Sequence, residues 1–141
     1  MHEIFQNQLW IGHAMDVRNP QAIFQAGIRC VVDLAYEEPT AKLPRQLIYC
    51  RFPLNDGGGN EPPVVRQALR TCCDFLSSNM PTLVACSAGM SRSPTIAAFA
   101  LARFTQQSPE LWIEKISAQK GLELKPELWK QVAAAYLELK H

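Results

Sequence analysis

Eight consecutive residues, Cys86-Ser87-Ala88-Gly89-Met90-Ser91-Arg92-Ser93, put a thiol and a guanidinium at the two ends of five intervening residues, with a hydroxyl directly after. The apolar run Leu83-Val84-Ala85 ahead of them predicts a buried strand, and Pro94 to Ala100 predicts a helix with proline in its first turn. Strand, tight loop and helix N-terminus form an oxyanion site, because backbone N–H groups point into the loop and the helix dipole favours negative charge there. The expected cradle comprises Ser87, Ala88, Gly89, Met90, Ser91 and Arg92. A cysteine at the start of such a loop has its thiolate stabilised by the same field, and an arginine at its end can hold two phosphate oxygens at once. Gly89 stands mid-loop, where a positive φ or a close backbone approach is expected. Ser93 can donate a hydrogen bond to the Cys86 sulfur. A free cysteine alone is as readily a buried core residue; Gly89, Arg92 and Ser93 at these positions favour the chemical reading.

Positioning such a loop takes a sheet. Strands are expected near Leu9-Trp10-Ile11, over 29–35 and over 47–52, besides the strand before Cys86. The second is nearly all apolar, as when both faces are covered. Between the first two, Asn19 can cap a helix, Pro20 suits its first turn and Gly27 can end it. Residues 64–78 carry Val65, Leu69, Cys72 and Leu76 at helical spacing. Three more helices are expected near 93–105, 109–119 and 126–139. The last two both open on Pro-Glu-Leu-Trp, one helix-start solution used twice, with Trp112 and Trp129 in the core. Strands alternating with helices predict an α/β three-layer domain. Its central sheet would be mixed, mostly parallel and of four to five strands, with the cysteine loop at the carboxyl edge of a central strand.

Cys86 to Ser93 matches the C-x5-R-S signature of the cysteine-based protein tyrosine phosphatases, and C-x-A-G-x-S-R-S is most similar to their dual-specificity branch. Gln8 to Gly12 and Ala26 to Leu34 also resemble that branch, so the likeness covers about residues 8 to 105. It implies Cys86 as nucleophile, Arg92 as phosphate clamp and Ser93 as the hydroxyl that stabilises the returning thiolate. Asn55-Asp56 follows a strand thirty positions before Cys86, as the family's general-acid loop does. Asp56 would protonate the leaving oxygen and then activate water; as a plain turn residue, Asn-Asp-Gly would need no such role. Glu61 is the next candidate acid. Gly57-Gly58-Gly59 would let the Asp56 loop move over substrate. One departure stands out: the family's histidine before the nucleophile is Ala85 here.

The implied activity is hydrolysis of phosphate monoesters on phosphotyrosine and phosphoserine or phosphothreonine of proteins, through a cysteinyl-phosphate. No metal or cofactor is implied. The variable loop positions are uncharged, which favours monoesters over polyphosphorylated lipids or RNA ends. Lys42, Arg45 and Arg51 could form a basic rim for an acidic peptide, or simply a solvated loop and strand edge. One alternative is a phosphatase-like module that binds phosphorylated partners with little or no turnover. Another is a different thiol enzyme, such as a sulfurtransferase or an arsenate reductase.

The 141 residues suit a single domain, 1–141, with 48% hydrophobic and 19% charged residues. A net charge of +1 demands neither nucleic acid nor an anionic membrane. No signal peptide is recognisable and no apolar run approaches the roughly 18 residues of a span, so a cytoplasmic monomer is expected. Five cysteines without an export signal argue against a disulfide framework. The three histidines are scattered and no C-x2-C pair exists, so no zinc site is expected; His2 and His141 are placed in loose termini and His13 in a surface loop.

Overall fold

A computed structural model describes residues 1–139. Its elements run β1 (His2–Phe5), β2 (Leu9–Gly12), α1 (Ala14–Val17), α2 (Pro20–Gln25), β3 (Cys30–Ala35), β4 (Ile48–Leu54), α3 (Pro62–Ser77), β5 (Thr82–Ala85), α4 (Arg92–Thr105), α5 (Pro109–Ser117) and α6 (Pro126–Leu139). The sheet order is β1-β2-β5-β3-β4, with β1 antiparallel and the other pairings parallel. This is the mixed, mostly parallel sheet expected, with β5 at its centre.

Side chains alternate across each strand, so the sheet separates two cores. Leu9, Ile11, Val32, Leu34, Val84 and Cys86 belong to the larger, which includes residues of α3, α4, α5 and α6. Trp10, Val31, Leu83 and Ala85 belong to the smaller, with Val17, Ile23, Ile28 and Leu47. Ala85 therefore faces away from the Cys86 side and is fully buried among apolar groups.

Capping follows the sequence signals. Asn19 accepts from the Ala22 N–H at 3.2 Å, and Gly27 ends the turn at φ +80°. Ser108 accepts from the Leu111 N–H at 3.1 Å ahead of Pro109, and α6 opens on Pro126 with Glu127 in its first turn. Trp112 is buried, its Nε1 donating to Thr105 Oγ1 at 2.9 Å; Trp129 packs against Phe99 at 4.7 Å between ring centroids, the rings tilted by 57°.

Several expectations need correction. His2 lies not in a loose terminus but in edge strand β1, opposite Ile11. Four mixed-polarity residues gave that strand too little alternation to read. His13 is an exposed loop residue as expected, and it also caps α1: its Nδ1 accepts from the Met15 N–H at 3.2 Å, and Asp16 Oδ2 accepts from the His13 N–H at 2.9 Å. Strand β4 continues to Leu54 through Pro53, which an edge strand tolerates. Cys50, expected as a core filler, is half-buried on that same edge.

The segment after β3 is held by β4. Tyr49 Oη donates to buried Asp33 Oδ2 at 2.6 Å and accepts from the Ala41 N–H at 3.1 Å. Arg51 Nη2 donates to the carbonyls of Ala35, Tyr36 and Glu38 at 3.3, 3.3 and 2.6 Å. Tyr49→Phe deprives Asp33 Oδ2 of its donor and the Ala41 N–H of its acceptor. It is expected to cost about 1–3 kcal/mol, seen as a lower denaturation midpoint at unchanged m-value.

Candidate functional site

Parallel register brings four loops to one edge. Gly12 and Asp33 both pair with Ala85, so β2, β3 and β5 reach the carboxyl edge nearly level. The chain leaving β5 is the cysteine loop. Beside it lie His13-Ala14 after β2, Tyr36 to Glu38 after β3, and Asn55 to Asn60 after β4.

The cysteine loop is braced through its own backbone. The Cys86 N–H donates to the Gly12 carbonyl at 3.3 Å, and the Ala14 N–H to the Ser87 carbonyl at 3.1 Å. Gly89 has φ +73°, and a side-chain carbon there would stand 3.0 Å from the Gly12 carbonyl oxygen. Both the left-handed conformation and the close approach require glycine. On the opposite flank, Lys120 Nζ donates to the Gly89 carbonyl, and the Glu123 N–H to the Met90 carbonyl at 2.9 Å. Burial there pushes the Lys120 ammonium below its ordinary pKa. Cys86 Sγ and Ser93 Oγ share a hydrogen bond of 3.2 Å, and the Ser93 N–H donates to the sulfur at 3.4 Å.

Arg92 opens α4 and is 3% exposed. A guanidinium taken out of water needs fixed acceptors. Its Nη1 and Nη2 donate to Glu37 Oε1 and Oε2 at 2.6 and 2.7 Å, a fork-to-fork pair, and Nη1 also donates to the Leu54 carbonyl at 2.8 Å. The hydrogen bonds from Arg92 hold the Glu37 carboxyl well down, at about 2. Arg92 Nε is buried without a partner, and so is Ser91 Oγ. The Nε–H of the guanidinium thus remains to be answered.

Both residues line a cavity of about 190 Å³, together with Glu37, Asp56, Cys86, Ser87, Ala88, Met90 and Glu123. Cys86, Arg92, the loop between them and Asp56 therefore meet at one place. Glu61 does not line the cavity; it precedes α3 as its N-cap residue. Nor do Lys42, Arg45 or Arg51, and Arg51 is engaged by three carbonyls. A larger depression of about 770 Å³ lies at the far end of α4, by Arg103 and Tyr136, and includes none of these groups.

The Asp56 loop is pinned by Asn60. Its Nδ2 donates to the Asn55 and Gly57 carbonyls at 3.2 and 3.1 Å, and to Gln131 Oε1 on α6 at 3.0 Å; its Oδ1 accepts from the Asn55 N–H at 2.7 Å. Gln131 Nε2 donates in turn to the Asn60 carbonyl at 2.8 Å. Within the glycine run, Gly57 and Gly59 adopt φ +143° and +80°. Those angles give the run a conformational role in shaping the loop.

Glu37, Glu38, Asn60 and Lys120 escaped the sequence reading. Glu38 accepts from Ser87 Oγ at 2.5 Å and from Arg18 Nη2 at 2.7 Å. The available signal was Glu37-Glu38 directly after a strand ending at the site edge, with a buried arginine to be matched.

No family model matches the chain, and no curated protein matches its sequence. Solved structures do match in fold. Human DUSP28 superposes with a TM-score of 0.84 at 18% identity, over 99% of this chain and 98% of that one. A mouse putative dual specificity phosphatase complexed with zinc tungstate gives 0.83 at 19%, over 98% and 87%. The human tyrosine phosphatase-like serine/threonine/tyrosine-interacting protein gives 0.81 at 15%, over 100% and 98%. The fold is that of the dual-specificity phosphatases.

Glu37 ties stability to acid pH. Its carboxyl lies near 2 in the folded chain against an ordinary 4.5. A depressed folded value adds stability that is fully present above the unfolded pKa and is lost as pH falls through the folded one. Glu37→Gln is therefore expected to remove that part of the acid loss between pH 4.5 and about 2. Urea midpoints measured across this range check it; curves of equal slope for both proteins would contradict the pair.

Proposed function

We propose that this chain is a phosphatase that hydrolyses phosphate monoesters through a cysteinyl-phosphate, acting on phosphotyrosine and phosphoserine or phosphothreonine in proteins. The observation that carries this reading is the unanswered Nε–H of buried Arg92, in a cavity that also holds Cys86 and Asp56. Loop amides and Arg92 offset the charge of the bound phosphate and hold phosphorus in line with the sulfur. The Cys86 sulfur attacks phosphorus as the bond to the leaving oxygen breaks, and Asp56 gives that oxygen its proton. Water then attacks the cysteinyl-phosphate while Asp56 takes up a proton. The sulfur–phosphorus bond breaks, Ser93 stabilises the departing thiolate, and inorganic phosphate is released. Glu37 is a positioning residue, engaging both Nη atoms of Arg92 while Nε stays available. The mouse putative dual specificity phosphatase of similar fold is complexed with zinc tungstate, and tungstate is a tetrahedral oxyanion like phosphate, which supports an oxyanion ligand here.

Turnover of p-nitrophenyl phosphate, unaffected by EDTA and inhibited by vanadate, is the expected result. Cys86→Ser should abolish it, while Arg92→Lys should lower it by roughly 10²-fold or more, since a point charge cannot replace the planar fork. Activity persisting in Cys86→Ser would overturn the covalent route. Wild-type protein that binds vanadate without turning over any phosphate ester would instead favour the phosphate-binding module.

Asp56→Asn should slow alkyl phosphates by roughly 10²-fold or more and aryl phosphates with good leaving groups much less. Equal slowing of both classes would move the acid role away from Asp56.

A further inference from the structure

We propose that the preferred substrates carry basic residues next to the phosphorylated one, and that Glu123 and Glu127 read them. The inference rests on the phosphatase reading above and names its substrate class.

Two independent observations support it. The first is the buried, unpartnered Nε of Arg92, which marks the cavity as the phosphate position. The second is the charge around that position. Four cations on this side are already engaged within the protein: Arg92 by Glu37, Arg18 by Glu38, Arg51 by three carbonyls and Lys120 by the Gly89 carbonyl. The carboxylates of Asp56, Glu123 and Glu127 have no hydrogen-bond or ion-pair partner among the described residues. Glu123 lines the cavity and is anchored by its N–H on the Met90 carbonyl. Glu127, in the first turn of α6, stands against the Asp56 loop: a side-chain carbon at Gly58 would lie 3.1 Å from its Cβ. Lys125, between the two glutamates, does not line the cavity.

A phosphate group enters this rim because the loop amides and Arg92 receive it. Neighbouring substrate residues meet only the rim. Lysine or arginine there gains partners from exposed carboxylates, whereas glutamate or a second phosphate is repelled. Partly exposed charge pairs are weak singly, so two of them give a preference of roughly 3- to 10-fold in kcat/KM.

The test uses three phosphotyrosine peptides, identical except for lysine, alanine or glutamate flanks. The expected order is lysine, then alanine, then glutamate. The spread should narrow in 1 M salt, where the screening length falls to about 3 Å, and narrow again in Glu123→Gln/Glu127→Gln. Equal rates, a preference for glutamate flanks, or an unchanged lysine-to-glutamate ratio in the double variant would overturn the proposal. Wild-type turnover of p-nitrophenyl phosphate separates this failure from failure of the phosphatase reading. Should no turnover occur, fluorescence anisotropy of the same three peptides on Cys86→Ser reads the preference as binding, and equal affinities would again overturn it.

Discussion

A guanidinium withdrawn from water is the demand that the rest of the site answers. Arg92 opens α4 where the chain leaves the central strand, so its charge falls inside the protein at the sheet edge. Leaving such a charge without partners would cost several kcal/mol. Glu37 and the Leu54 carbonyl meet that demand from the ends of β3 and β4. The pairing thereby fastens three connections together and leaves Nε as the buried donor without a partner. Arg51 and Tyr49 serve the same end one layer back, since they hold the segment that delivers Glu37.

Legibility in the sequence follows the range of each interaction. The cysteine loop could be read because its chemistry is local: thiol, glycine, arginine and serine lie within eight residues, and strand and helix patterns flank them. The place of Asp56 beside that loop could be read through a strand-plus-turn pattern and its likeness to a family. Glu37 could not, because its partner lies 55 positions away and two adjacent glutamates in a proline-bearing loop look like solvated charge. Asn60 was hidden for a similar reason: an asparagine after three glycines suggests a turn, while its decisive contact is with Gln131, 71 positions on. Strand β1 was missed because its identity comes from pairing with β2 rather than from its own composition.

Ala85 gains a different meaning from its placement. Strand alternation turns it into the smaller core with Trp10, Val17 and Ile23, while Cys86 turns to the other side. A bulky polar ring at this position would have to displace apolar neighbours in a filled core. Support for the loop comes instead from Gly12 and Ala14 on one flank and from Lys120 and Glu123 on the other, through backbone groups of the loop itself.

The bracing of Asp56 differs in kind from that of Arg92. Asn60 and Gln131 are both neutral amides, and their contacts with each other and the backbone neither titrate nor respond strongly to ions. The bracing of the Asp56 loop is thus indifferent to the medium, while the arginine-bearing side depends on an ionised glutamate. Acidification would loosen the two walls unequally: Arg92 loses its counter-charge as Glu37 takes up a proton, while the Asp56 loop keeps its amide contacts.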